Sequence, residues 1–223
     1  IRNTVCDSNL NVKVCPTHAG ITVGEDGATH QALEDVGMMR ALPQMTVLVP
    51  ADFNATRAAL RLAATTYGPF YVRMGRLPVS QVYDEGFSPE VGHAYVLREG
   101  TDVTIAACGV EVGEALAAAD ALADEGISAE VIDVFSIKPL DAGTLLVSAR
   151  KTGRVVSVEE HSVATGMGAA IATLLSENVP TPMRLMGMRT FGTSAPATTL
   201  LEHFGLDAKG IVRETMECLA EWS

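Results

Sequence analysis

VTIAACGVEVGEALAAADALADEGISAEVIDV, residues Val103 to Val134, decides the fold. Val103 to Cys108 is a short apolar run with β-branched residues, which predicts a buried strand. Val112 to Asp124 is rich in Ala and Leu at helical spacing, and Gly126 ends that helix. Ala129 to Val134 is again strand-like. Strand, helix and strand in so short a span predict a parallel crossover unit. Downstream, the same alternation predicts helix Asp141–Lys151, strand Arg154–Val158, helix Gly166–Asn178, strand Met183–Met188, and helices Ala197–Phe204 and Asp207–Glu221. Upstream, Asn11–Val14, Met45–Val49 and Phe70–Arg73 read as strands, with Asp52 capping a helix over Phe53–Thr66. From Met74 to Gly100 there is Gly, Pro and Ser punctuation without a period. The expected fold class is α/β: two units of mostly parallel sheet with helices on both faces. Residues 1–77 form one unit, 78–100 a linker with few contacts of its own, and 101–223 the second unit. Such sheets place ligands at the carboxyl ends of their strands.

Composition narrows the function classes. The formal net charge of −11 excludes a Lys/Arg-rich nucleic-acid surface. No window approaches eighteen apolar residues, so no membrane span is expected. Ile1-Arg2-Asn3-Thr4 carries no basic segment leading into an apolar run, and the absence of Met there suggests a start inside a longer protein. Cys6, Cys15, Cys108 and Cys218 have no CxxC spacing, which argues against zinc and for free thiols in a reducing, cytoplasmic setting.

The chemistry concentrates in THAGITVGEDGATHQ, Thr17 to Gln31, with three glycines, two acids and two histidines. Glycine allows positive φ and close backbone approach, and His can donate, accept and titrate near neutrality. His18, Asp26 and His30 would suit a hydroxylated, partly anionic substrate. The alternative is turn and capping chemistry alone, with Thr29 as a cap, His30 solvated and a helix running on to about Leu42. Glu159-Glu160-His161 before Gly166-Met167-Gly168 offers an anion corner; the structural reading, with Glu160 and His161 capping or bridging subunits, is the expected one. Met38 and Met39 read as helix core, and Lys138-Pro139-Leu140-Asp141 as a loop leading to an N-cap.

The segment THAGITVGEDGATHQALEDVGMMRALPQMTVLVPAD resembles the pyrimidine-domain signature of transketolases, and YVRMGRLP, VIDVFSIKPLD, VVSVEEHSVATGMGAAIA and TFGTSAPATTLLEHFGL extend the resemblance over essentially the whole chain. It implies the last part of a thiamine-diphosphate pyrimidine-binding domain followed by a transketolase C-terminal domain. The implied reaction transfers a two-carbon ketol unit from ketose phosphate to aldose phosphate. By the same resemblance, His18 lies near the sugar-phosphate end, Asp26 binds the donor hydroxyl beside the carbonyl, His30 serves the reacting centre, and Arg73, ahead of Arg76, clamps substrate phosphate. The family's pyrimidine-activating glutamate and its GDG…N magnesium motif are absent from this sequence. The resemblance therefore implies Mg2+ ligands outside the chain, a diphosphate-binding N-terminal subunit or section as partner, a homodimer through the C-terminal domain, and no activity of the chain alone. A deoxyxylulose-phosphate synthase, a 2-oxoacid dehydrogenase beta-type subunit and a non-catalytic assembly module are the rival readings.

Overall fold

The computed structural model describes residues 1–222. Its strands are β1 (Lys13–Val14), β2 (Thr46–Leu48), β3 (Phe70–Val72), β4 (Tyr95–Arg98), β5 (Val103–Ala107), β6 (Ala129–Asp133), β7 (Ser136–Lys138), β8 (Val155–Ser162) and β9 (Met183–Met188). The α-helices are α1 (Asp35–Arg40), α2 (Phe53–Thr65), α3 (Glu111–Asp124), α4 (Ala142–Thr152), α5 (Met167–Asn178), α6 (Ala197–Phe204) and α7 (Ala208–Glu221). Among the described residues no helix is long and apolar enough to cross a membrane.

Two sheets form, as expected. The first runs β1-β3-β2-β7 and the second β4-β6-β5-β8-β9. Every pairing is parallel except β7 on β2 and β4 on β6. All five residues of β5 and of β6 are buried, which is why their sequences read as continuous apolar runs rather than alternating ones. α3 turns Val112, Ala115, Ala118, Ala119 and Leu122 onto that sheet, where they share a core with Ile105, Val131, Val156, Leu200 and Ile211. Its small side chains let the helix lie close to the strands. Asp52 caps α2 through Ala55 N–H at 2.7 Å, and Asp141 caps α4 through Thr144 N–H at 3.0 Å, both at the positions the sequence suggests.

The linker departs from expectation. Residues 78–100 include β4, and the rest is anchored rather than loose. Tyr83 stacks on Phe87 with ring centroids 3.7 Å apart, and Phe87 and Tyr95 each meet the fully buried Phe135 at 6.1 Å. The second oxygen of Asp52 accepts from Val82 N–H and Tyr83 N–H at 2.7 and 2.8 Å. These anchors come from distant parts of the chain, so no local period reveals them. β7 was not expected either; it crosses from the second half of the sequence to complete the first sheet. The helix expected to run to Leu42 is the six-residue α1, and its buried face is Asp35 and Val36. Met38, expected in the core, is therefore exposed. β8 continues four residues beyond its expected end because Glu159, Glu160 and His161 all find partners inside.

Carboxyl ends of strands from both sheets meet in one place. Arg73 N–H donates to Leu48 O, Val49 N–H to Phe135 O, and Val134 N–H to Ala107 O. Beside this junction lies a cleft of about 460 Å³, lined among others by Thr17, Asp52, Arg73, Arg76, Gly109 and Glu160.

Candidate active site

The loop between β1 and α1 carries the open polar groups. Its first part, Ile21–Asp26, is a 3-10 turn broken at Gly24, where φ is 83°, and Gly27 follows at φ 74°. Those two conformations are the reason glycines occupy these positions. His18, Asp26 and His30 are all exposed. His18 is held in the left-handed region at φ 65°, which is uncommon for a residue with a side chain, and its Nδ1 lies 2.8 Å from Thr17 Oγ1. His30 Nδ1 lies 3.0 Å from Thr29 Oγ1, so Thr29 steadies an imidazole and caps no helix. Asp26 Oδ2 is 3.7 Å from Arg76 Nη1, and both side chains remain nearly half exposed. Arg76 also donates to Val23 O at 2.6 Å, tying it to the loop.

Arg73 is placed differently from the open phosphate clamp that the sequence led one to expect. It is 4% exposed. Its Nε donates to Asp35 Oδ2 at 2.9 Å, its Nη2 to Ala32 O and Glu160 O, and its Nη1 lies 3.8 Å from Glu160 Oε1. The guanidinium fork is occupied by the protein itself, and Arg76 is the guanidinium that faces outward beside the loop.

A buried ionic cluster underlies the loop. Tyr71 Oη donates to Asp35 Oδ2 at 2.7 Å. Burial alone would push the Asp35 carboxyl up; the Arg73 charge and the bonds from Tyr71 and Arg73 outweigh it and hold the carboxyl below its ordinary value. Burial raises the Glu160 carboxyl despite Arg73 and its bonds from Thr22. Burial likewise pushes Glu159 up to about 7, although it accepts from Met167 N–H at 2.7 Å and Gly168 N–H at 2.9 Å. Glu159 thus caps α5, taking the place of the missing side-chain cap at Gly166. Burial, with Arg73 adding to it, lowers His161 to about 4. The ring is therefore neutral: Nδ1–H donates to Ser162 O at 3.0 Å and Nε2 accepts from Gly37 N–H at 3.3 Å. Its 3.7 Å approach to Asp35 Oδ1 is then no ion pair. Glu160 and His161 find hydrogen-bond partners within the chain.

The second unit touches the loop at several places, among them Ser162 N–H to Leu33 O at 2.8 Å. Glu160 Oε2 accepts from Thr22 N–H at 3.0 Å and from Thr22 Oγ1 at 2.8 Å. Ser194 Oγ donates to Glu25 O at 2.6 Å. Buried Gln31 donates through Nε2 to Thr193 O at 2.9 Å and to Ile21 O at 3.2 Å. Sequence reasoning missed Thr22, Gln31, Asp35 and Ser194 as members of the site. The one available signal was that THAGITVGEDGATHQ and TFGTSAP are both rich in Gly, Thr and Ser without being turns between obvious elements. Among the described residues no three His, Cys, Asp or Glu side chains converge to hold a metal ion.

Comparison with known proteins locates this geometry. A family model described as "Transketolase, pyrimidine binding domain" matches residues 1–80, and one described as "Transketolase, C-terminal domain" matches residues 92–211. A Clostridium protein described as a 6-deoxy-6-sulfo-D-fructose transketolase subunit is 45% identical over 215 residues, which is 96% of this chain and 67% of that protein. Mouse transketolase is 40% identical over 210 residues, 92% of this chain but 34% of its own length. A solved structure described as a split gene transketolase, an inactive beta4 tetramer, superposes with a TM-score of 0.91 at 45% identity, covering 99% of this chain and 70% of that one.

Proposed function

The chain belongs to the transketolase family, and on that premise we propose that it carries the substrate-facing loop of a two-chain transferase that moves a two-carbon ketol unit from ketose phosphate to aldose phosphate. The observation that carries this reading is a loop that leaves His18, Asp26 and His30 exposed, with Arg76 beside Asp26, while Thr22 beneath is bonded to Glu160. In this reading a diphosphate-binding partner polypeptide holds the diphosphate and Mg2+, and the chain alone is expected to be inert. Thiamine diphosphate supplies the carbon nucleophile and electron sink for such a transfer. The work assigned to this chain is orientation and proton handling. Asp26 accepts from a donor hydroxyl, His30 holds or moves a proton at the reacting end, and His18 binds toward the sugar-phosphate end. Arg76 supplies the phosphate contact, because its guanidinium faces outward, and Arg73 supports the loop from below. The second unit also forms the homodimer contact.

The test is ketol transfer by the full chain with a diphosphate-binding partner, thiamine diphosphate and Mg2+. A ketose phosphate is expected to serve as donor and pyruvate to fail. His30→Ala is expected to lower kcat more than it raises KM, since a group at the reacting centre acts in the transition state. Arg76→Ala is expected to weaken phosphorylated donors by about 10- to 100-fold in kcat/KM, the range of a charged hydrogen bond, and to spare unphosphorylated ones. Turnover of pyruvate, or equal losses with both donors, refutes the respective claim.

A further inference from the structure

We infer that the second unit is the positioning device for the open loop, with Glu160, Ser194 and the Thr193 carbonyl that Gln31 binds acting through the loop on Asp26 and His30. The inference rests on the reading of Asp26 and His30 as substrate-facing groups.

A loop with glycines at φ 83° and 74° has little stiffness of its own, because glycine populates both signs of φ freely. Here three side-chain anchors hold it against the second unit, in addition to Arg76 at Val23 O. Glu160, 3% exposed, grips the start through the backbone N–H and the hydroxyl of Thr22. Ser194 grips the middle at Glu25 O, one residue before Asp26. Gln31, 6% exposed, grips the end, one residue after His30, and reaches across to Thr193 O. Fit is close at each point. A Cβ on Gly20 would lie 2.0 Å from the Glu160 carboxyl carbon, one on Gly192 would lie 2.0 Å from Gln31 Oε1, and one on Gly27 would lie 3.3 Å from Ser194 Cβ. The contacts on Asp26 and His30 themselves are few and exposed, so their places follow from the backbone between these anchors. Glu160 is in turn fixed by Arg73, which also holds Asp35 at the far side of the loop. Catalytic groups misplaced by even an ångström lose rate steeply. Glu160 and Ser194 therefore set turnover without touching substrate.

The experiment uses two readouts on the full chain. The first is amide hydrogen exchange over residues 21–31, which does not depend on the reaction. Ser194→Ala and Thr22→Val are expected to speed exchange there while the melting temperature stays within about 4 °C of the parent, and Thr22→Ser is expected to restore protection, since it keeps the hydroxyl. The second is ketol transfer with the diphosphate-binding partner. Each of the two variants is expected to lower kcat about three- to tenfold, the range of one neutral hydrogen bond. In an Asp26→Asn background the added effect of Ser194→Ala is expected to shrink to about twofold or less, because both act through one group. Unchanged exchange, or full additivity with Asp26→Asn, overturns the inference. If the parent complex transfers no ketol unit while exchange responds as stated, the proposed reaction fails and the positioning stands.

Discussion

Arg73→Met separates the two roles open to this residue. Methionine keeps an apolar stem of similar reach and removes the guanidinium. Asp35 would keep Tyr71 Oη and lose its cation, and Glu160 would lose the positive charge 3.8 Å from Oε1. Both carboxylates are over 90% buried, so water cannot replace what is lost. Removing one partner from such a buried pair costs about 3–5 kcal/mol. In a chain of this size each kcal/mol moves the melting temperature by about 2–4 °C, so a fall of about 6–20 °C is expected. The pH dependence gives a second handle. In the parent the Asp35 carboxyl is held below its ordinary value. Its contribution is thus present above the unfolded carboxyl's range and lost as pH falls through the folded value. The variant's deficit should be full near neutrality and narrow only as pH falls below about 4, the unfolded carboxyl's range. Urea unfolding of both chains at several pH values measures it. A variant within about 1 kcal/mol of the parent at pH 7, with phosphorylated substrates selectively weakened, would refute the structural assignment and return Arg73 to the phosphate.

Three further outcomes are expected. Gly20→Ala should destabilise the chain and expose the loop, since φ is 80° and the new methyl would overlap the Glu160 carboxyl; thermal unfolding and limited proteolysis report it. Asp133→Asn should flatten the stability profile between about pH 4 and 7. Burial raises this carboxyl to about 7, so its folded form favours the proton and stability is lost as pH rises through that value; an amide, which can still accept from Tyr83 Oη, removes the titration. Residues 78–100 should resist protease in the parent and become cleavable in Phe135→Ala, because the aromatic cluster holds the segment down; early cleavage in the parent would contradict this.

Legibility in the sequence followed locality. β5, α3 and β6 were readable because both strands are fully buried and the helix between them ends at a glycine stop, all within one short span. The grouping of His18, Asp26 and His30, the exposed half of the proposed site, was readable for a similar reason: they share one glycine-rich loop. The supporting half was not. Asp35 looks like one more surface charge in Leu33-Glu34-Asp35, and only the arrival of Tyr71 and Arg73 from β3 and the residue following it makes it internal. Arg73 and Arg76 are three residues apart in one stretch, and only burial tells which one faces outward. Ser194 lies 169 residues from the Glu25 carbonyl it holds.

The crossing of Ser136–Lys138 into the first sheet bears on how such chains can be recombined. β7 follows β6 with only Val134 and Phe135 between them, yet it hydrogen-bonds to β2. Lys138 Nζ also donates to Arg40 O and Leu42 O, sealing the end of α1. A chimaera spliced at residue 100 would therefore exchange more than the second unit: it would import a foreign fourth strand for the first sheet and a foreign cation for α1. Grafts between relatives should succeed where the β7 tripeptide and the surface of β2 are transferred together, and a first unit expressed without β7 should offer its bare β2 edge to neighbouring chains.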